Sequence, residues 1–237
     1  MRVTKPTKAR LKRAFVYFAG LDKQWYARLM YEKKFVYFCM VAMAGVITVS
    51  NILVQYPLGQ WLTFGALTYP IAFLITDLVT RNQGLVAAKR VILFGLIIGV
   101  LASIVASFYD VTTLRIAIAS VLAFLVAQVL DSTLFFRLKD LVWWQTPVIS
   151  STIASLVDTF IFFSVAFSAS TYMLVADGNL WAQEIMPLFG IGPEFPLWVS
   201  LALADLGVKL CMVLVLLIPY RLFLQSKADI NQEALDR

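Results

Sequence analysis

The 237-residue sequence contains no histidine and only two cysteines. Without histidine, the chain cannot form a Ser-His-Asp or Cys-His catalytic arrangement, and any proton transfer would have to use carboxylates. Cys39 and Cys211 both fall inside apolar runs, without a CxxC pair, so neither a disulfide framework nor a zinc site is expected. No P-loop is present, so ATP would have to be hydrolysed by another chain. We expect no metal and no cofactor.

Charged residues are also scarce, because Asp, Glu, Lys and Arg make up only 14% of the chain. Hydrophobic residues make up 61%, and the mean hydropathy is +0.82. A single soluble core of this length could not bury so much apolar surface, so the sequence predicts an integral membrane protein. The net charge of +6 comes from basic residues at the ends of apolar runs, which is typical of membrane topology. The lipid bilayer is therefore the expected environment, and no nucleic-acid partner is expected.

Six apolar runs are long enough to form membrane-spanning helices, which need ~20 residues each. They are predicted near residues 35–55, 60–79, 89–109, 113–135, 147–175 and 196–220. The predicted fold is therefore an all-α integral membrane domain over residues 35–224, between a basic interfacial arm over 1–34 and a tail over 225–237. Basic residues alternate between the connections, so both termini are predicted to be cytoplasmic. A three-plus-three inverted arrangement is a further hypothesis, although the halves show no clear sequence repeat.

The connection between the last two runs, from Ala176 to Glu194, contains acidic residues and no basic residue. The positive-inside rule therefore places it outside the cell. Its glycines and prolines predict turns, and its apolar residues predict a short element at the membrane surface. We interpret it as a connector, with a lid as the alternative.

Acidic residues inside the apolar runs are the main candidates for function. An ionised side chain at the centre of a bilayer costs ~2.5–3.5 kcal/mol even on insertion-based scales, so such residues usually face a protein interior or a polar cavity. Asp158 lies about 16 Å along its helix from Pro147, at ~1.5 Å per residue, with no basic residue within one turn. Asp131 lies closer to the cytoplasmic side. Both are predicted to line a solute-binding cavity.

Other polar residues share helical faces with these acids, because residues three or four apart lie on one side of a helix. Gln128 shares a face with Asp131. The face of Asp158 forms a polar and aromatic stripe that also contains Ser151, Ser155 and Phe162.

Further candidates have a structural explanation of equal or greater weight. Asp77 lies four residues before Arg81, so a local surface pair is the alternative to a role in the cavity. Asp205 and Lys209 also lie four residues apart, and this spacing is more typical of a structural ion pair than of a ligand site. Asn51, near the outer end of the first run, could contact a solute or simply another helix.

Several passages together resemble the queuosine precursor transporters, also called the vitamin uptake transporter family, from about Phe35 to Leu224. They are "YPIAFLITDLVT" from Tyr69, "VAQVLDSTLFFRLK" from Val126, the pair Trp143 and Trp144, and "SSTIASLVDTFIFFSVAF" from Ser150. Members of this family often continue the first passage with "TE" and an aromatic-glycine pair. This chain instead reads "TRNQG" from Thr80, so no role for a glutamate there carries over.

The resemblance implies uptake of 7-cyano-7-deazaguanine or 7-aminomethyl-7-deazaguanine across a bacterial inner membrane. It also implies a six-helix fold similar to the substrate-binding subunits of energy-coupling-factor vitamin importers. The pyrimidine edge of a deazaguanine presents two adjacent N–H donors, which a carboxylate such as Asp158 or Asp131 could accept in parallel. Gln128 could donate to the ring carbonyl, while Phe162 or Trp144 could stack on the heterocycle. A second acid would favour the cationic aminomethyl form.

The expected partners are thus a small deazaguanine solute and the bilayer, and a homo-oligomer stays open. A transporter of another vitamin-like solute is the main alternative. An intramembrane aspartyl enzyme would need two acids close enough to share a proton, whereas Asp131 and Asp158 are predicted at different depths. A membrane scaffold would need no acids at membrane depth.

Overall fold

The computed structural model describes residues 33–54, 56–108, 113–171 and 179–235. The chain divides into Met1–Phe38 and Cys39–Arg237. Of the first unit only residues 33–38 are described, and they form the first turns of a helix. The predicted basic arm therefore lies outside the described residues, except for its last two lysines.

The described chain consists almost entirely of helices joined by short connections. The helices are α1 (Lys33–Leu53), α2 (Gly65–Thr68), α3 (Ile71–Phe108), α4 (Leu114–Leu138), α5 (Gln145–Phe167) and α6 (Leu197–Leu235). Two antiparallel hairpins pair β1 (Pro57–Leu58) with β2 (Leu62–Thr63), and β3 (Ile185–Pro187) with β4 (Glu194–Pro196). Among the described residues, five helical stretches are long and apolar enough to cross a membrane. The predicted all-α membrane class is confirmed.

Gly84 interrupts α3 and turns the chain back on itself. Its φ of 78° and ψ of 177° belong to a region of backbone space that is essentially restricted to glycine. The ring of Tyr69 lies 6.2 Å from that of Phe124, and a Cβ on Gly95 would lie 3.3 Å from the same ring. A straight helix would separate residues 69 and 95 by ~39 Å. The bend at Gly84 therefore brings the chain before and after it to the same part of α4.

Some predicted boundaries of the apolar runs were wrong. The second run, predicted from residue 60, begins inside the first hairpin. The predicted connection between residues 79 and 89 is helical on both sides of Gly84, because a single glycine suffices for the reversal. The last run continues to Leu235 rather than ending at residue 220.

The fifth run ends eight residues earlier than predicted, at Phe167 instead of residue 175. The buried guanidinium group of Arg115, at the start of α4, donates hydrogen bonds to the carbonyl groups of Val165 and Ser168. Carbonyl groups at the end of a helix lack partners within the helix, and a basic side chain can satisfy them. Arg115 thus caps α5 from the neighbouring helix.

Polar side chains lie inside the helix assembly and large apolar side chains lie outside. Asp77, Asp131 and Asp158 are at most 3% exposed, whereas Phe160 is 73% exposed. This is the distribution expected when the surrounding medium is hydrocarbon rather than water. The polar interior lies between α3, α4, α5 and α6.

Neighbouring helices in this group are antiparallel from α4 onwards. At one end of the α4–α5 pair, the Thr146 hydroxyl donates to the Leu138 carbonyl at 2.8 Å. In the α5–α6 pair, Asp158 contacts Lys209. The turns of α6 before Lys209 pack against the turns of α5 after Asp158, so the two helices run in opposite directions. The faces that carry the buried acids are therefore turned towards each other.

Candidate functional site

The buried acids form two centres along the inner face of α5. The first, here called the acid pair, consists of Asp77 and Asp131 with Ser151. The second, here called the ion cluster, consists of Asp158, Thr159, Asp205 and Lys209. Positions 151 and 158 of α5 are seven residues apart, which corresponds to ~10.5 Å along a helix.

The acid pair joins α3, α4 and α5. Asp77 and Asp131 are both buried, and Asp77 lines the same cleft as Ser151. The Ser151 hydroxyl donates to Asp131 Oδ1 at 3.2 Å. The acid pair therefore places two buried carboxyl groups and a hydroxyl group together in the interior.

Gln128 lies beside Asp131 on α4, as their shared face predicted. The Thr76 hydroxyl donates to Gln128 Oε1 at 2.9 Å, so the amide oxygen is occupied. The amide nitrogen Nε2 is buried and has no partner among the described residues. Gln128 therefore presents a hydrogen-bond donor to the interior.

The ion cluster joins α5 to α6. Lys209 Nζ donates to Asp158 Oδ2 at 2.7 Å, to Thr159 Oγ1 at 3.2 Å and to Asp205 Oδ2. The Thr159 hydroxyl also donates to Asp205 Oδ2, at 2.9 Å. The couple between Asp205 and Lys209 thus exists as predicted, but it also includes Asp158. Asp158 has no basic neighbour on its own helix, and α6 supplies one.

Six buried polar atoms in this interior have no hydrogen-bond partner among the described residues. They are Asp77 Oδ1, Gln128 Nε2, Asp131 Oδ2, Ser155 Oγ, Asp158 Oδ1 and Tyr220 Oη. Leaving such a group unsatisfied costs ~1–3 kcal/mol, so native proteins contain few of them. These six atoms lie on the faces of α3, α4, α5 and α6 that meet in the interior.

A narrow cleft lies at the acid pair, between α3, α5 and α6. Its polar lining comes from Asp77, Ser151 and Tyr220, and its remaining lining is apolar. The free volume is about 20 Å³, room for roughly one water molecule. Pockets that enclose organic ligands usually measure ~300–1,000 Å³, so the cleft is closed in this structure.

Two predicted residues have positions that do not point to a solute. Asn51 donates to the carbonyl of Ile47 in its own helix at 3.0 Å. Trp144 lies at the start of α5 and is 43% exposed.

Phe162 packs edge-to-face against Phe163, with ring centroids 5.0 Å apart, in an aromatic cluster one turn beyond the ion cluster. The expected stacking roles of Trp144 and Phe162 remain predictions.

The alternative of a surface pair between Asp77 and Arg81 was wrong. Asp77 is 2% exposed and lines the interior cleft together with Ser151. Arg81 instead donates to the carbonyl of Lys139, at 2.6 Å. The helix α3 thus directs Asp77 inwards, while Arg81 reaches the connection after α4.

Four residues of the interior were missed by the sequence analysis, namely Tyr69, Thr76, Thr159 and Tyr220. Thr76 and Thr159 each stand next to a predicted acid, and that adjacency was the only available signal. Tyr69 opens the first quoted passage, but nothing in the sequence distinguishes its ring from a lipid-facing one. Tyr220 stands at the end of an apolar run and gave no signal.

Comparison with known proteins gives consistent matches. A family described as "Putative vitamin uptake transporter" matches residues 63–223. The chain is 33% identical over 193 residues to a "Queuosine precursor transporter" of Escherichia coli K12, covering 73% of this chain and 79% of that one. It is 38% identical over 137 residues to a "Probable queuosine precursor transporter" of Haemophilus influenzae, covering 51% of this chain and only 57% of that one. No solved structure matches.

Proposed function

The chain belongs to the vitamin uptake transporter family, and on that basis we propose that it imports queuosine precursors across a bacterial inner membrane. Membership makes it a multi-pass membrane transporter rather than an enzyme. The solutes we propose are 7-cyano-7-deazaguanine and 7-aminomethyl-7-deazaguanine. The observation that supports this most is the set of unpartnered buried polar atoms between α3, α4, α5 and α6.

The acid pair suits the pyrimidine edge of a deazaguanine. This edge carries two adjacent N–H donors and lies beside a ring carbonyl. Asp77 Oδ1 and Asp131 Oδ2 are unpartnered acceptors for the donors, and Gln128 Nε2 is an unpartnered donor for the carbonyl. Hydrogen bonds to an ionised carboxylate contribute about twice as much as those between neutral groups. One base would thereby satisfy three atoms that are otherwise costly to bury.

A membrane topology with six crossings accompanies this proposal. The reversal at Gly84 supports counting the two arms of α3 as separate crossings. The hydrogen bond from Arg81 to Lys139 supports placing the basic connections after the first arm and after α4 at the same end of the assembly. By the positive-inside rule that end is cytoplasmic, together with both termini. A three-plus-three inverted arrangement stays part of the proposal.

The direct test is rescue of queuosine in tRNA. A bacterial strain that can neither make queuosine precursors nor import them would express this chain and receive either compound in the medium. We expect queuosine in tRNA, measured by mass spectrometry, to appear with the wild-type chain and to be absent with the empty vector. No queuosine from either compound, at normal membrane levels of the protein, would contradict the proposed function.

Matched variants connect the function to the site. Asp131→Asn removes a buried acceptor of the acid pair, whereas Asp140→Asn makes the same change at an exposed position after α4. We expect rescue at low external precursor to fall with Asp131→Asn and to be unchanged with Asp140→Asn. Equal rescue by both variants would place recognition elsewhere.

A further inference from the structure

The ion cluster contains one more carboxylate than ammonium group. Lys209 pairs with both Asp158 and Asp205, so the three side chains together have a formal charge of −1. The side chains of Lys209 and Asp158 are 5% and 4% exposed, and that of Asp205 is 17% exposed. Buried ions in membrane proteins are normally balanced by a partner, because hydrocarbon does not solvate them. One additional monovalent cation would bring the formal charge of the ion cluster to zero.

The groups around the cluster are those that recognise an ammonium group. Asp158 Oδ1 is buried and unpartnered, so it can accept a hydrogen bond. Ser155, 1% exposed and one turn earlier on the same face of α5, has an unpartnered hydroxyl oxygen. The ring of Tyr69 lies 5.9 Å from Lys209 Nζ, so an aromatic face already borders a cation here. A carboxylate oxygen, a hydroxyl and an aromatic face together suit a primary ammonium group.

We propose that the ion cluster binds the ammonium group of an aminomethyl solute and so makes the transporter prefer this form over the neutral cyano form. This inference rests on the proposed function. Asp158 Oδ1 and Ser155 Oγ accept hydrogen bonds from the ammonium group. Asp205 acts as a positioning residue, because it holds Lys209 and supplies the additional negative charge.

The spacing of the two centres fits a solute that contacts both. The acid pair meets α5 at Ser151 and the ion cluster meets it at Asp158, ~10.5 Å along the helix. This is of the order of the length of a two-ring base that carries a one-carbon arm. The donor edge of the base then lies at the acid pair while the ammonium group lies at the ion cluster, once the closed cleft has opened.

The test compares uptake of the two compounds by charge variants of the cluster. Asp205→Asn brings the formal charge of the cluster to zero, whereas Asp205→Glu keeps it at −1. For Asp205→Asn we expect uptake of the aminomethyl compound to fall about ten-fold or more relative to uptake of the cyano compound. Asp205→Glu should retain most of the wild-type ratio, and the exposed Asp140→Asn should retain all of it.

A second variant keeps the test decisive if Asp205→Asn does not reach the membrane. Ser155→Ala removes an unpartnered hydroxyl without changing any charge, so folding should be unaffected. We expect it to reduce uptake of the aminomethyl compound roughly three-fold to ten-fold relative to uptake of the cyano compound, in line with one lost hydrogen bond.

Three results would overturn the inference. Equal losses for both compounds in Asp205→Asn and Ser155→Ala would make the cluster a purely structural ion network. Equal losses for both compounds in Asp205→Asn that are reproduced in the wild type by replacing external Na⁺ with a large organic cation would assign the cluster to an inorganic ion. If the wild-type chain takes up neither compound, the proposed function itself fails, and this result is distinct from a changed ratio.

Discussion

Lys209 on α6 and Asp158 on α5 form a buried ion pair with an N–O distance of 2.7 Å, which joins two helices at membrane depth. The pair lies between residues 51 positions apart in the sequence. It therefore depends entirely on how α5 and α6 pack, and it fixes the register of one helix against the other.

Removing the ammonium group should destabilise the protein strongly. Lys209→Met leaves the carboxylates of Asp158 and Asp205 buried without a counter-ion, and breaking a buried pair in this way typically costs ~3–5 kcal/mol. We expect a lower midpoint of thermal unfolding for the purified protein in detergent. The exposed Lys139→Met serves as the control and should unfold like the wild type. A Lys209→Met protein of wild-type stability would show that the carboxylates do not need the ammonium group.

The double variant Lys209→Met with Asp205→Asn should recover part of the lost stability, because one uncompensated carboxylate is removed together with its partner. Thermal unfolding of the two variants side by side measures this recovery. A double variant less stable than Lys209→Met alone would show that Asp205 contributes independently of Lys209.

Gly84→Ala should disturb the reversal in α3. The φ of 78° is strained for any residue with a Cβ, at ~1–3 kcal/mol, even though no atom lies within 4 Å of the added methyl group. Gly207→Ala is the matched control, since Gly207 lies within α6 with equally open surroundings. Alanine in a helix is favoured over glycine by up to ~1 kcal/mol, so this variant should be neutral or more stable. Unchanged stability in Gly84→Ala would argue against a backbone fixed in this conformation.

Transport should require the cleft between α3 and α6 to open. Leu74 and Leu217 line it from opposite sides. Cysteines at both positions, in a chain whose Cys39 and Cys211 are replaced by serine, would be joined by a short bifunctional reagent. We expect the joined protein to lose uptake of both compounds. Each single-cysteine variant, treated identically, should keep its activity, and full uptake by the joined protein would show that solutes pass elsewhere.

Labelling from outside the cell tests the proposed orientation. A cysteine at Glu194, in the connection before α6, should react with an impermeant reagent, whereas a cysteine at Lys139 should react only after the membrane is opened. Both positions are exposed on the protein, so access is limited only by the membrane. The reverse pattern of labelling would invert the topology.

The sequence predicted those features that depend on local composition. The run predicted over residues 113–135 corresponds to α4 at Leu114–Leu138, because hydrophobicity and length alone define a spanning helix. The buried acids were found for the same reason, since any carboxylate in an apolar run is conspicuous. The residues that these acids contact were not predicted from the sequence. The contacts of Asp131 with Ser151 and of Asp158 with Lys209 join different helices, and helical periodicity orders residues only within one helix.

The role of Gly84 in the turn between the two arms of α3 was not predicted, for a related reason. A lone glycine within a helical pattern usually remains helical, and the sequence alone does not distinguish a glycine that adopts a positive φ. The connection predicted between residues 79 and 89, which contains Arg81 and Lys89, was too long. In the structure those residues remain helical on either side of the turn.

The cap that Arg115 places on the end of α5 is also a bond between two helices, because Arg115 belongs to α4. At the opposite end of the same two helices, Thr146 ties α5 to the carbonyl of Leu138, and Ser151 bonds Asp131 between these ties. Because these bonds join α4 to α5 at both ends and in the middle, we expect the two helices to move together. Any opening of the interior during transport would then separate α6 or α3 from the α4–α5 unit.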